Sequence, residues 1–301
     1  MGTSWLFFAI AAPALYGATN FIDKFLIEKH VSDPVVLTVL GGGISFIFGL
    51  IFLALHNFPL LDPFQMTLIV ISGALIEFAL LPYYEALSLD DTSRIVPLFQ
   101  FIPIIVLVLS YLFLGERLTS LQVLGFFFVF IGGFFLSLKE LNWKIFELRK
   151  SFWYMMLACL TYAVASVILK FVITPLNFWG TIAYELIAGE LVVVFMLSIR
   201  GYRSRIFDQL RNFKTGLWGI ISGNEVVYLL GRLSGFYAFA LAPVSLVSVM
   251  GGFQPFFVLI FGLALSVWFP RVIKEDIGKT TVLVKLASIV LIFVGIWIVG
   301  G

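Results

Sequence analysis

The stretch that decides the fold is SRIVPLFQFIPIIVLVLSYLFLGERLTSLQVLGFFFVFIGGFFLSL, which runs from Ser93 to Leu138. It contains two apolar runs, Ser93–Leu114 and Thr119–Leu138, joined at Gly115-Glu116-Arg117. Each run has about 20 residues, and an α-helix of that length crosses a hydrocarbon core of about 30 Å. The stretch therefore predicts two membrane-spanning helices that reverse direction at the lipid headgroups, where the two charged residues of the turn stay.

The composition of the whole chain also indicates a membrane protein. Hydrophobic residues fill 61% of the 301 positions and charged residues only 12%, whereas a soluble domain carries about 25% charged residues. The expected location is the cell membrane, plasma or inner, with the chain crossing the lipid bilayer several times. The net charge of +2 predicts no nucleic-acid partner, because the basic residues lie in loops beside the apolar runs. A monomer or a homodimer is expected.

Ten apolar runs along the chain predict ten transmembrane helices. Helices are expected because an apolar run in lipid must satisfy its backbone hydrogen bonds within itself. The predicted spans are numbered 1 to 10 in chain order and cover 5–27, 35–55, 65–87, 93–114, 119–138, 152–174, 179–199, 215–241, 245–268 and 282–299.

The two halves of the chain repeat each other weakly but in order. Five spans per half is an odd number, so the second copy is inverted in the membrane, as in many secondary transporters. The predicted fold is an all-α membrane protein of ten transmembrane helices, arranged as two inverted five-helix repeats, 1–138 and 152–301. Three matches at offsets from 146 to 152 indicate the duplication: Tyr16, Asn20 and Lys24 with Tyr162, Ser166 and Lys170; Ser72-Gly73 with Ser222-Gly223; and Phe101 and Pro103 with Phe253 and Pro255.

The segment 139–151 connects the two predicted repeats. Its residues Lys139–Lys150 read KELNWKIFELRK, in which apolar and charged side chains alternate at helical spacing. This pattern predicts a short amphipathic helix lying at the headgroups. A solvated linker is an equally good interpretation of the same pattern.

The block that opened this section resembles a known family. The Pro-bearing span 4, the Gly-Glu-Arg-Leu turn at 115–118 and the Gly-rich span 5 resemble the EamA-type members of the drug/metabolite transporter superfamily, in which such a block ends each of two five-helix repeats. The second copy departs from this pattern, because its turn reads Trp268-Phe269-Pro270-Arg271. The resemblance implies a secondary active transporter or facilitator that works by alternating access. Its substrate would be a small polar or zwitterionic metabolite, with an amino-acid-like compound as the best single expectation.

The sequence also bears on two other functions, an anion carrier and an enzyme. A carrier for anionic phosphorylated metabolites or lipid-linked phosphates is the alternative, and Lys24, Lys170 and Arg232 would suit it. An enzyme is not expected, because the sequence has no Gly-x-Ser-x-Gly elbow, no His within a span and no paired intramembrane Asp motif. No catalytic residue, metal site or cofactor is predicted, apart from coupling to protons.

Charged side chains within the spans are the first candidates for the substrate site, because each costs at least about 2.5–3.5 kcal/mol near the bilayer centre. Glu77 and Glu190 lie near the middles of spans 3 and 7, and Glu225 and Arg232 lie seven residues apart on one face of span 8. They would pair with substrate or carry protons; the alternative is an internal ion pair of Arg232 with Glu77 or Glu225. The predicted substrate-binding residues are Tyr16, Asn20, Glu77, Tyr84, Tyr162, Glu190, Glu225, Tyr228 and Arg232.

Two lysines are predicted gate residues. Lys24 and Lys170 each lie near the end of a span, where a long side chain can snorkel to the interface at small cost. The alternative follows from the inversion, which brings the two lysines to opposite membrane faces, where they would close the cavity in turn. Span 8 is the predicted moving helix because glycines allow local unwinding; they are Gly216, Gly219, Gly223, Gly231 and Gly235.

The distribution of basic residues predicts the orientation of the chain. The connections after the odd-numbered spans hold fourteen Lys and Arg residues, whereas the opposite connections hold one, Arg117. Basic loops stay in the cytoplasm, so both termini are expected outside it. Alkaline phosphatase fused after Gly301 should then be active, while a fluorescent protein fused at Lys144 should fluoresce. A fluorescent C-terminal fusion would contradict this orientation.

Overall fold

Helices make up all regular secondary structure in the part of the chain that the structure describes. The computed structural model describes residues 4–31, 33–55, 61–90, 95–138, 148–211, 213, 215–268 and 279–300. The predicted all-α fold is therefore confirmed. Twelve α-helices follow one another in these ranges: α1 (Ser4–Lys29), α2 (Pro34–Leu55), α3 (Pro63–Leu89), α4 (Phe101–Leu109), α5 (Ser120–Ser137), α6 (Lys150–Val172), α7 (Phe178–Ser198), α8 (Arg200–Leu210), α9 (Thr215–Leu241), α10 (Val244–Val249), α11 (Gln254–Trp268) and α12 (Lys279–Gly300).

Eight segments in the described ranges are long and apolar enough to cross a membrane. They match eight of the ten predicted spans. The other two predicted spans, 215–241 and 282–299, are helical as α9 and α12. Helix α9 is less apolar because it carries Glu225 and Arg232, and the apolar part of α12 covers Leu283–Val299. The protein is thus a multi-pass membrane protein, and the arrangement as ten spans in two inverted repeats stays a prediction.

Two features of the fold lie outside the sequence-based predictions. The predicted connection after span 7 contains the polar helix α8, whose Arg205 forms two hydrogen bonds of 2.7 and 2.8 Å to Asp33, between α1 and α2. The predicted amphipathic helix at the repeat junction falls mainly on 139–147, which lies outside the described residues.

The same backbone distortion occurs in both halves. A 3₁₀ turn, Val96–Gln100, leads into α4, and a second one, Met250–Phe253, joins α10 to α11. Each turn lies just before a matched proline, Pro103 or Pro255. Proline has no N–H and cannot bond the carbonyl four residues earlier, and in both halves that carbonyl belongs to the 3₁₀ turn. The repeat proposed from side-chain matches therefore has a counterpart in the backbone.

The helix contacts follow a two-fold pattern. Helix α1 of the first half packs on α9 of the second, and α6 of the second half packs on α3 of the first. Since α1 corresponds to α6 and α3 to α9, each contact is the counterpart of the other. In three further pairs a helix packs on its own counterpart in the other half: α2–α7, α5–α12 and α4–α10. This is the pattern expected of a duplicated five-helix unit with a pseudo-two-fold axis.

Glycines permit the close approach of α5 and α12. A Cβ added to Gly125 would lie 2.8 Å from the carbonyl oxygen of Gly295, and one added to Gly132 would lie 2.7 Å from that of Ser288. On the neighbouring face, a Cβ on Gly133 would lie 2.7 Å from the Cα of Gly252. These glycines of α5 are therefore helix-packing sites, since a side chain would force the backbones apart.

The turn between α4 and α5 anchors the second half of the protein. Gly115 adopts a φ of 66°, which glycine reaches without steric cost. The Glu116 carboxylate that follows accepts hydrogen bonds from the backbone N–H groups of Val244 and Ser245, at 2.8 and 3.2 Å, and from the Ser245 hydroxyl at 2.7 Å. It therefore caps α10, because Pro243 at the N-cap position offers no side-chain acceptor. Glu116 thus has a structural role that the sequence did not indicate, and its position at the headgroups stays a prediction.

The two halves depart from symmetry at one pair of helix–helix interfaces, the α3–α7 seam and its counterpart, the α2–α9 seam. Helix α3 packs closely along α7, whereas its counterpart α9 touches α2 sparingly. At the first seam, a Cβ on Gly73 would overlap the carbonyl oxygen of Glu185. On α9, the sequence-matched Gly223 is exposed, and a Cβ there would meet nothing within 4 Å. The α3–α7 seam is therefore closed and the α2–α9 seam is loose.

Candidate substrate cavity

A cavity of about 200 Å³ lies between the two halves of the protein. Helices α1 and α3 and the turn before α4 contribute its lining from the first half, and α6, α9 and the α10–α11 region contribute from the second. The 3₁₀ turns of both halves border it through Gln100 and Gly251, and Pro103 and Gln254 lie beside them in the lining. A central cavity at the interface of two repeats is where a membrane transporter places its binding site.

One end of the cavity is acidic. Asp23 of α1 and Glu225 of α9 both line it. Asn224 donates a hydrogen bond of 2.7 Å from Nδ2 to Asp23 Oδ1 and so joins α9 to α1. The Glu225 carboxylate lies against α2, where a Cβ added to Gly41 would come within 3.1 Å of Oε1. Glu225 therefore lies between α2 and α9, at the acidic end of the cavity.

Aromatic rings form the walls next to these carboxylates. The ring centroids of Tyr16 and Tyr228 are 5.5 Å apart, which pairs α1 with α9. Tyr83 lies 5.1 Å from Tyr84 and 5.0 Å from Phe99 by the same measure. These rings come from both halves and give the cavity an aromatic lining.

Arg232 lies behind the cavity lining and forms a buried ion pair with Glu185 of α7. Its Nη2 is 2.6 Å from both carboxylate oxygens, and the two residues are 3% and 0% exposed. The prediction that Arg232 pairs with Glu77 or Glu225 is wrong. Seven residues separate Glu225 from Arg232 along one helix, about 10.5 Å at 1.5 Å per residue, whereas α7 brings Glu185 directly opposite the guanidinium.

Two predicted site carboxylates lie outside the cavity lining. Glu77 is 3% exposed and sits between α2 and α7, where a Cβ on Gly42 would lie 3.0 Å from its Oε1 and one on Gly189 would lie 3.3 Å from its Cβ. Its Oε1 has no hydrogen-bond partner among the described residues. Glu190 is half-buried, and its Oε2 likewise has no partner in the described ranges. Both are enclosed carboxylates next to the site rather than lining residues.

The Lys170 ammonium turns inward to the end of α9. Its Nζ donates hydrogen bonds to the carbonyl oxygens of Phe239 and Ala242, at 2.5 and 2.8 Å. A basic side chain is favourable there because the last carbonyls of a helix lack intrahelical partners. Backbone carbonyls thus hold the ammonium group, and both interpretations of Lys170, snorkelling and gating, stay predictions. The Lys24 side chain lies outside the described part of the structure.

Sequence reasoning found part of the lining. Six predicted residues line the cavity: Tyr16, Asn20, Tyr84, Tyr162, Glu225 and Tyr228. Three do not, namely Glu77, Glu190 and Arg232. The polar residues missed include Asp23, Gln100, Asn224 and, behind the lining, Glu185. Asp23 and Glu185 carried a signal, since both are acids within apolar runs, but each lies near the end of its predicted span and resembles an interfacial residue.

The described side chains bring together no group of three or more His, Cys, Asp or Glu residues that could hold a metal ion. The five carboxylates of this region are spread over four helices: Asp23 on α1, Glu77 on α3, Glu185 and Glu190 on α7, and Glu225 on α9.

Comparisons with known proteins agree with the geometry. The EamA-like transporter family matches residues 3–138. The uncharacterized protein MJ1333.1 of Methanocaldococcus jannaschii is 32% identical over 126 residues, which are 42% of this chain and 90% of that protein. The whole relative is thus about as long as the first predicted repeat.

A solved crystal structure of another protein extends the comparison to the whole fold. It aligns with a TM-score of 0.68, covering 99% of this chain and 96% of its own, at 14% identity. At that identity the likeness shows the fold alone. Together with the family match and the 32% identical relative, it leads to one conclusion: the chain belongs to the EamA-like transporter family, within the drug/metabolite transporter superfamily.

Proposed function

We propose that the protein is a secondary transporter or facilitator that moves a small polar metabolite across the membrane by alternating access. Its family consists of membrane transporters of small molecules rather than enzymes. The single observation that carries the proposal is the cavity between the halves, bordered by one closed seam and one loose seam.

The unequal seams suggest how access alternates. In the described state, Gly73 lets α3 lie close against α7, whereas α9 makes few contacts with α2. Exchange of the two arrangements would close the α2–α9 seam and open the α3–α7 seam. The cavity would then face the other side of the membrane, without a change in its lining.

The orientation of these seams follows from the loop charges. With the basic odd-numbered connections in the cytoplasm and both termini outside it, the loose α2–α9 seam lies toward the cytoplasm. The end held by Glu116 and Lys170 faces the opposite side. The described arrangement is then one in which the cavity loads from the cytoplasm.

The chemistry of the cavity favours a substrate with an amino group, as in the expected amino-acid-like compounds. Asp23 and Glu225 offer two carboxylates to such a group. The anionic alternative is less well supported, because Arg232 is committed to Glu185 and Lys170 to backbone carbonyls. A phosphate group would meet neither of these two cations in the cavity.

Proton coupling is part of the proposal. Glu77, Glu190 and Glu225 have one nearby arginine, which is already paired. An ionised carboxyl is costly at membrane depth unless a cation or water meets it. One or more of these acids is therefore proposed to carry a proton in one state of the transport cycle and to release it in the other.

Uptake into proteoliposomes tests the proposal. Radiolabelled amino acids should accumulate more than tenfold under an imposed pH gradient. Glu77→Gln should abolish this accumulation and leave the exchange of labelled for unlabelled substrate, measured without a gradient, unchanged. Glu85→Gln, at a residue outside the cavity lining, is the matched control. Full gradient-driven accumulation by both Glu77→Gln and Glu190→Gln would instead point to an uncoupled facilitator. Absence of any uptake or exchange across a broad metabolite panel would overturn the transporter proposal.

A further inference from the structure

The charged lining of the cavity is wholly negative in the part of the chain that the structure describes. Asp23 and Glu225 line it, and no described lysine or arginine does so. Arg232 lies behind the wall in its pair with Glu185, at 2.6 Å. A carboxylate removed from water is stable only when a cation or hydrogen-bond donors meet it. Among the described residues the lining thus holds two negative groups and no positive one, and a cationic occupant would supply the missing positive charge.

Two buried amide oxygens at the cavity also lack a partner. Asn224 is 3% exposed and Gln100 is 5% exposed, and both line the cavity. Neither Asn224 Oδ1 nor Gln100 Oε1 has a hydrogen-bond partner among the described residues. A buried acceptor left unpaired costs about 1–3 kcal/mol. These two oxygens are independent of the carboxylates and favour an occupant that donates hydrogen bonds.

The serine and threonine hydroxyl groups of the lining offer little to an anion. Ser166 donates to the carbonyl of Tyr162 at 2.8 Å, Ser248 to that of Ser245 at 3.0 Å, and Thr19 to that of Tyr16 at 3.0 Å. These bonds lie within their own helices and use the single proton of each hydroxyl. A carboxylate or phosphate of an occupant would thus find those donors already committed.

The remaining walls suit an apolar body with a cationic head. The rings of Tyr16, Tyr83 and Tyr228 stand beside the acidic end, and an ammonium group over an aromatic face gains about 0.5–2 kcal/mol. The opposite part of the lining is apolar: Ala9, Ala12, Phe236, Phe239 and Val247. Such walls complement a hydrocarbon or aromatic portion of a small molecule.

We infer that the cavity binds an organic ammonium ion, with its charged nitrogen between Asp23 and Glu225 and its apolar body toward Phe236 and Phe239. The binding site stands on the geometry above, and its use in transport rests on the proposed function. A free carboxylate on the occupant is a disadvantage here, so a simple amine binds more tightly than the amino acid with the same side chain.

A matched panel of probes tests the inference on the full-length, detergent-purified protein. The probes are 2-phenylethylammonium, its neutral analogue 2-phenylethanol, the anion 3-phenylpropionate and the zwitterion phenylalanine, each titrated by calorimetry. The ammonium ion should bind at least about tenfold more tightly than any of the others, since a hydrogen bond to a charged group contributes about 1.5–3 kcal/mol. Equal binding of 2-phenylethanol, tighter binding of either carboxylate probe, or no binding of the amine at millimolar concentration would overturn the inference.

Variants then locate the ammonium group. Asp23→Asn and Glu225→Gln should each weaken amine binding about 10- to 100-fold, whereas Glu85→Gln should leave it unchanged. Glu225→Asp keeps the charge and should retain most of the affinity, which separates a lost contact from a misfolded protein. Amine affinity that is the same in Asp23→Asn and Glu225→Gln as in the parent would refute the placement of the nitrogen.

The outcome is distinguishable from that of the transporter proposal. Transport of phenylalanine by a protein that does not bind the amine would overturn the ammonium site and leave the transporter. Binding of the amine that depends on Asp23 and Glu225, without its passage into liposomes, would support the site and count against transport.

Discussion

Replacement of Arg232 by methionine is expected to lower the free energy of unfolding by about 3–5 kcal/mol, the usual cost of removing one partner from a buried ion pair. The guanidinium is the partner of both carboxylate oxygens of Glu185, which is 0% exposed. It also lies 5.9 Å from the ring centroid of Tyr228 and 5.5 Å from that of Phe236. Its loss leaves a buried, uncompensated carboxylate between α7 and α9.

A double variant separates the charge from the packing. Glu185→Gln combined with Arg232→Met removes both charges and should recover more than half of the lost stability, because no unpaired ion remains. Denaturant unfolding in detergent, followed by circular dichroism, gives the free energies. A loss below about 1 kcal/mol in the single variant, or a double variant no more stable than the single one, would show that the pair does not join these helices.

Alanine at the matched glycines Gly73 and Gly223 should have opposite effects. Gly73→Ala should destabilise the protein by about 1–3 kcal/mol, as overpacking does, because its Cβ would overlap the carbonyl oxygen of Glu185. Gly223→Ala should leave stability unchanged or raise it by up to about 1 kcal/mol through helix propensity, since its Cβ meets nothing within 4 Å. Melting temperatures of the two variants give this comparison directly.

Closure of the α2–α9 seam can be tested at Gly41 of α2. A Cβ there would lie 3.1 Å from Glu225 Oε1 of α9. If α9 must close on α2 as α3 closes on α7, the Gly41→Ala methyl group obstructs that state and should slow transport about tenfold, the effect of 1.4 kcal/mol. Gly43→Ala is the control, because its Cβ on α2 meets nothing within 4 Å. Full transport by Gly41→Ala would argue against closure of the α2–α9 seam.

The membrane class, most helix positions and the signs of duplication could be read from the sequence. Hydropathy over about 20 residues is a local property, so the apolar runs locate the spans without knowledge of their packing. The matched prolines, Pro103 and Pro255, also marked positions where the backbone is distorted in both halves. Identical spacing in two halves was enough to suggest a repeat before any contact was known.

The partners of the polar groups could not be read in the same way. Glu116 and Val244 are 128 residues apart, and Arg232 and Glu185 are 47 apart. Such pairs depend on which helix faces meet, and hydropathy does not encode this. Position along a span was also a poor guide, because Asp23 lies near the end of its predicted span and yet lines the cavity, while Glu77 lies near the middle and does not.

The cap that Glu116 provides for α10 has a consequence for the sidedness of affinity. The corresponding turn of the second half, Trp268-Phe269-Pro270-Arg271, offers no carboxylate, and within the described ranges such a cap occurs at one end of the molecule. An unloaded population held closed at that end presents most of its cavities to the other compartment. Apparent affinity scales with the fraction of molecules in the competent state, so the half-saturating concentration should be higher on the restrained face. The direction of net flux would still be set by the concentration gradients, because the restraint slows transport equally in both directions across the membrane.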